Sequence, residues 1–136
     1  MQIVAPVNNK EPILKLIAHP ENANPKGDIF GGWLMSQIDI AGSIISVMKA
    51  KGSVSTVAVK NLQFLKPIYV HDLVCFYASI THVGKTSITT EVNVHVQRAS
   101  FKETNAFVYE TIKVAEAIVV YVAVSEPGKK REVPVE

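Results

Sequence analysis

Between Ser87 and Gln97 the chain alternates without a break. Ile88, Thr90, Val92, Val94 and Val96 fall on one side, and Thr89, Glu91, Asn93, His95 and Gln97 on the other. That period of two predicts a half-buried β-strand. Ser53–Leu65, His71–Val83 and Phe107–Val124 also read as strands, and "VGKTS" (Val83–Ser87) supplies a hairpin turn between two of them. From Gly32 to Lys51 the alternation is absent and apolar residues recur at helical spacing, with Gly52 as a plausible stop. Upstream, "ILKLIAHP" (Ile13–Pro20) is strand-like and ends at a proline, and "ENANPKGD" (Glu21–Asp28) is a loop rich in Asn, Pro and Gly.

This order of elements predicts an α+β domain over 11–125. Strands that follow one another so closely make an antiparallel sheet, and a lone apolar helix must pack across it. The last strand is apolar on both faces from Ala117 to Val124, with Ile118, Val120 and Val122 opposite Val119, Tyr121 and Ala123. Either it is a central strand under a loop, or another subunit covers it. Residues 1–10 read as a short arm and 126–136 as a charged, flexible tail.

Composition narrows the class. The 136 residues suffice for one domain with a real core, and 48% of them are hydrophobic, which argues against disorder. Fourteen basic and twelve acidic residues leave a net charge of +2, without the clustered basic surface of a nucleic-acid binder. A single cysteine, Cys75, rules out an internal disulfide framework and fits a reducing compartment. No signal peptide is visible and no apolar run is long enough to span a bilayer, so the expectation is a cytoplasmic protein with neither membrane nor nucleic acid as partner.

The predicted helix holds the most informative residue. Asp39 is the one charged residue between Gly31 and Met48, and burying a lone carboxylate is costly. On a helical wheel Gly32, Ser36, Asp39, Gly42, Ser43 and Ser46 share a narrow arc of small polar residues, with Met35 as its one apolar member. An ordinary solvent-exposed face would carry Lys, Glu and Arg, whereas this arc leaves room for a ligand or another backbone. Gly31 and Gly32 at the helix start bare amide groups whose partial positive charge suits an anion or a developing oxyanion. Ser43, one turn beyond Asp39, either orients the carboxylate or simply makes room.

Other chemistry finds little support. "VGKTS" lacks the first glycine of a phosphate-binding loop, with Ser79 in its place, and it joins two strands. His19, His71, His82 and His95 have no metal-ligand spacing among themselves or with Cys75, so no metal is expected. There is no G-x-S-x-G elbow and no dinucleotide fingerprint. Cys75 sits in an alternating strand and reads as a packing thiol.

"NPKGDIFGGWLMSQID", with Asn24, Gly27, Gly31, Gly32 and Asp39, resembles the N-x-x-G-x-x-x-G-G…D signature of hotdog-fold acyl-CoA thioesterases, and within them the YciA-type bacterial enzymes. "NLQFLKPIYVHD" (Asn61–Asp72) and the "VGKTS" turn match as well, so the likeness spans roughly Ile13–Val124. The resemblance implies a hotdog fold, one long central helix wrapped by a curved antiparallel sheet of five to six strands. It also implies dimers that assemble into hexamers as trimers of dimers, with the active site between subunits. There Asp39 would face Asn24 of the partner subunit. Coenzyme A, as part of substrate and product and not as a cofactor, would run past Phe64, Lys66 and Pro67 and the turn Gly84, Lys85, Thr86 and Ser87.

The implied reaction is hydrolysis of an acyl-CoA thioester. Asp39 would serve as general base on water, or as a nucleophile giving a mixed anhydride. Amides at Gly31 and Gly32 would hold the oxyanion, and Asn24 would position the water or the carbonyl. Two alternatives stand beside this reading. A dehydratase-like hotdog protein would want a His–acid pair, and the nearest histidine is His19. A non-catalytic acyl-CoA sensor would keep the pocket without the base.

Overall fold

The computed structural model describes residues 11–101, 107–126 and 128–135, so the expected N-terminal arm lies outside the described residues. Strand β1 (Leu14–Ile17) leads through a 3-10 turn (Pro20–Asn22) to helix α1 (Gly31–Ala50). Four long strands follow: β2 (Val54–Phe64), β3 (Leu73–Val83), β4 (Ser87–Phe101) and β5 (Phe107–Glu126); the short β6 (Lys129–Lys130) closes the order. They form one six-stranded sheet in the order β1-β3-β4-β5-β2, with β6 added to β5 and every pairing antiparallel. The α+β expectation and each long element agree with this to within a few residues.

The alternation read in β4 decides which way the sheet faces. Val92, Val94 and Val96 are fully buried and meet Leu34, Ile38 and Ala41 of α1 in the main core, together with Val74 and Phe76 of β3 and Val119 and Tyr121 of β5. Each such aliphatic side chain contributes about 1.5–3 kcal/mol on leaving water. Register shifts within the β2–β5, β3–β4 and β4–β5 pairs bend the strands around the helix, as bulges do.

β5 is a central strand. Val119, Tyr121 and Ala123 face the helix, and neighbouring strands flank it on both sides. On the other face Val122 and Val124 are also buried, while Ile118 and Val120 are half-buried. The apolar surface left uncovered lies elsewhere. β2 forms one edge of the sheet and exposes Val57 (56%) and Val59, and the outer side of α1 exposes Met35, Ile40 and Met48 (67%).

The helix stops just before Gly52, and the left-handed residue that ends it is Lys51 (φ 54°), whose amide donates to Val47 O. Gly52 instead makes room, because a Cβ there would stand 2.6 Å from Arg131 Nη2. That arginine belongs to the segment expected as a flexible tail, which is held at Arg131 and Val133. Arg131 donates from its amide to Ala123 O and from Nε to Val124 O, and Val133 is buried against Ala50, Ile88 and Ala123. The charges in "GKKREVPVE" gave the tail its mobile appearance, and Val133 is the apolar anchor among them. Among the described residues no helix is long and apolar enough to cross a membrane.

Candidate active site

Asp39 lies in the third turn of α1, half-buried, with β2 and β5 beneath it. Its Oδ1 accepts hydrogen bonds from Thr56 Oγ1 at 2.8 Å and from Tyr121 Oη at 3.1 Å. Tyr121 Oη is also 2.6 Å from the main-chain oxygen of Asp39. Both hydroxyls therefore converge on one carboxylate oxygen, and neither touches Oδ2. Burial, and after it the charge and hydrogen bond of Asp39, push the Tyr121 phenol well above its usual range, so the group stays a neutral donor. Sequence reading missed both partners. The signal for Tyr121 was a phenol on the inward face of an otherwise aliphatic strand, where its hydroxyl must find a partner; for Thr56 there was none.

The small residues of the arc have two uses. Gly32 and Ser36 are exposed, and a Cβ on Gly32 would meet nothing within 4 Å. Gly42 and Ser46 are buried toward the sheet. A Cβ on Gly42 would stand 2.5 Å from Tyr121 Oη and 3.0 Å from Thr90 Oγ1, so that glycine admits the tyrosine rather than a ligand. Ser43 does not orient the carboxylate, since its hydroxyl donates to Ile40 O at 2.7 Å.

At the N-terminal end of α1 a cavity of about 360 Å³ gathers five of the predicted residues: Asn24, Gly31, Phe64, Lys66 and Pro67. Gly31 allows close approach, its absent Cβ falling 3.3 Å from Phe64 Cζ. Phe30 supplies no side-chain cap, so the amides of the first turn stay available to a ligand. Asn24 is set by a tight turn. Its Oδ1 accepts from Lys26 N at 2.8 Å and its carbonyl from Gly27 N at 2.9 Å, with Gly27 at φ 104°.

A partly buried ion pair braces the wall opposite. Arg98 Nε and Nη2 donate to Asp72 Oδ1 and Oδ2 at 2.9 and 2.7 Å, and Asp72 is 3% exposed. Asp72 Oδ2 also accepts from Tyr69 N, and Arg98 Nη2 reaches Pro67 O at 3.3 Å. The guanidinium lies 4.8 Å from the Tyr69 ring centre. Nothing in the local sequence pairs two residues 26 apart, and the ion pair was not foreseen.

The turn Gly84–Ser87 lies at the far end of α1. There a second cavity, about 370 Å³, is lined by Lys49, Gly84, Lys85, Glu132 and Val133. Gly84 N donates to Ser87 O, Ala123 N to Thr86 O and Val133 N to Lys85 O. A twenty-residue helix spans about 30 Å, so one subunit carries its predicted binding residues as two separated groups. Asp39 lies between them and lines neither cavity.

Cys75 and His95 lie on neighbouring strands of the sheet, paired in register. Cys75 is buried, and burial raises its pKa. His95 is buried with Nδ1 unpartnered, and burial, then Lys113, lowers its pKa. Among the described residues no three His, Cys, Asp or Glu side chains converge as metal ligands would.

Comparison with known proteins bears on this arrangement. A sequence model described as the Thioesterase superfamily matches residues 26–99. The acyl-CoA thioester hydrolase YciA of Salmonella typhimurium is 42% identical over 126 residues, which is 93% of this chain and 92% of that protein. Cj0915, a hexameric hotdog fold thioesterase of Campylobacter jejuni, superposes with a TM-score of 0.84 at 38% identity, over 92% of this chain and 91% of that one. The hexameric thioesterase y2039 from Yersinia pestis does so with a TM-score of 0.81 at 42% identity, over 94% and 98%.

Proposed function

The chain belongs to the thioesterase superfamily, alongside the YciA acyl-CoA thioester hydrolases, and from that premise we propose that it hydrolyses acyl-CoA to coenzyme A and a carboxylic acid with Asp39 as general base. One observation carries the assignment of the base. Thr56 and Tyr121 fix Oδ1 of Asp39, and neither of these two donors occupies Oδ2.

In this mechanism Oδ2 removes a proton from water as the water oxygen attacks the thioester carbonyl. Charge develops on the carbonyl oxygen, where the first-turn amides at Gly31 and Gly32 and the positive end of the helix dipole stabilise it. Collapse of the tetrahedral intermediate breaks the C–S bond, and the proton held on Oδ2 passes to the departing coenzyme A thiolate, which returns Asp39 to its ionised form. The partner subunit's Asn24 positions the water or the carbonyl; Lys26 N donates to its Oδ1, which fixes the amide plane and leaves the amide nitrogen free to donate to the substrate.

The protein acts as an oligomer, a dimer that assembles as a trimer of dimers. The free edge of β2 and the exposed Val57, Val59 and Met48 support self-association, as does the hexameric state of its relatives. The split of the binding residues supports a site shared between subunits. Phe64, Lys66 and Pro67 of one subunit and Gly84–Ser87 of the other would then follow one coenzyme A molecule.

Release of free thiol from acyl-CoAs running from acetyl to palmitoyl tests the proposal. Wild-type protein should hydrolyse part of the series, and Asp39→Asn should lose about 10²–10⁴ in kcat while still folding and binding coenzyme A. Full turnover by that variant would overturn the role of Asp39, and no hydrolysis of any member by wild type would overturn the activity.

A further inference from the structure

We propose that Tyr121 is a positioning residue whose hydroxyl turns between the two acceptors of Asp39 as the carboxylate gains and loses its proton. The inference rests on Asp39 being the general base. Tyr121 is completely buried, and a buried phenol needs a partner for its O–H. Both oxygens that it meets belong to the same residue: the main-chain oxygen at 2.6 Å and Oδ1 at 3.1 Å.

A single phenol proton cannot be donated fully to both. A carboxylate is the stronger acceptor, so with Asp39 ionised the hydroxyl points to Oδ1. Once Oδ2 has taken the proton of water, Oδ1 is an uncharged carbonyl oxygen and the shorter main-chain contact wins. Only the hydrogen bond moves, and no covalent bond to Tyr121 forms or breaks. The main-chain oxygen of a mid-helix residue already accepts the amide four residues on, so satisfying it does not require the tyrosine.

The helix is shaped for this contact. Gly42 lies where any Cβ would stand 2.5 Å from Tyr121 Oη and 3.1 Å from Cε2, and glycine in a helix interior costs about 1 kcal/mol relative to alanine. Among the described residues, the side chains hydrogen-bonded to the carboxylate are both hydroxyls. Thr56 faces it from β2, Thr90 from β4 lies beside Gly42, and α1 carries no second charge between Gly31 and Met48. The two hydroxyls are therefore the described donors that meet the carboxylate oxygen whose charge changes in the reaction.

The pH profile of kcat/KM for Tyr121→Phe tests this. Removing a donor to the ionised carboxylate disfavours the charged form, so the acidic limb should move up by about one pH unit, with kcat reduced roughly tenfold and KM unchanged. A second variant carries a ring-fluorinated tyrosine at position 121. It keeps the shape and strengthens the donor, and its acidic limb should move down. It also serves should Tyr121→Phe fail to fold. Acidic limbs that stay in place overturn the inference, whatever happens to kcat. If Asp39→Asn is inactive and the limbs stay in place, this inference alone falls; if Asp39→Asn remains active, the general-base reading falls with it.

Discussion

Arg98 and Asp72 meet through two parallel hydrogen bonds of 2.9 and 2.7 Å, and the same guanidinium reaches Pro67 O. The pair therefore joins β4 to the segment that walls the cavity beside Asn24. That segment also accepts Ile29 N at Ile68 O, which ties the asparagine loop to the same brace.

Arg98→Ala should destabilise the protein by about 3 kcal/mol, because it strands a carboxylate in a site 3% exposed to solvent. Urea unfolding reads this directly. Loosening of the Pro67 carbonyl and the Tyr69 ring should also raise KM more than it lowers kcat. The double variant Arg98→Met/Asp72→Leu should recover most of the stability, since it leaves no buried charge behind.

Gly42→Ala tests the seat of the helix on the sheet. Alanine favours a helix by about 1 kcal/mol over glycine. Here its Cβ would collide with Tyr121 Oη, Tyr121 Cε2 and Thr90 Oγ1. Overpacking of this kind costs about 1–3 kcal/mol, so the expected net effect is a lower urea midpoint. Turnover should fall as well, because the displaced tyrosine no longer reaches Asp39. An unchanged midpoint would show that the helix shifts freely there.

His95 should make stability fall in mild acid. Its pKa is lowered in the folded protein, first by burial and then by Lys113, from the ordinary imidazole value of 6.5. Below that value the unfolded chain takes up a proton that the folded chain resists. Stability is therefore fully present above about pH 6.5 and is lost as the pH drops through the window beneath it. Urea midpoints at pH 7.5 and 5.5 should differ, and His95→Phe should narrow the difference while keeping the ring contact with Tyr77.

Much of this was written in local patterns. The alternation of Ile88–Gln97 gave the buried face of β4, and the lone charge in "MSQIDIAGS" picked out Asp39. Gly31 and Gly32 at the helix start stood out by themselves, because close approaches constrain residue type locally, whereas Asn24 and Gly27 were singled out only through the resemblance carried by "NPKGDIFGG". What stayed hidden depends on residues distant in sequence. Tyr121 reaches Asp39 across 82 positions and Arg98 reaches Asp72 across 26. The role of Gly42 followed the same rule: its small size was visible, but only the position of Tyr121 says what the space is for.

Lys85 and Val133 should separate binding from stability at the far end of the helix. Lys85 and Glu132 face each other at 3.8 Å with side chains 80% and 72% exposed, and an exposed pair is worth at most about 1 kcal/mol. Lys85→Ala should thus leave the unfolding midpoint nearly unchanged. If the Gly84–Ser87 turn holds a phosphate of coenzyme A, the same variant should raise KM severalfold, most strongly at low salt, where charge attraction is least screened. Val133 is instead packed against Ala50, Ile88 and Ala123, and its amide holds Lys85 O. Val133→Ala removes about two methylene equivalents of buried surface, or about 1.5 kcal/mol, and should lower the midpoint with only a secondary effect on KM. Measuring urea midpoint and KM for both variants distinguishes the two roles. A large stability loss in Lys85→Ala with an unmoved KM would remove the turn from the coenzyme A site.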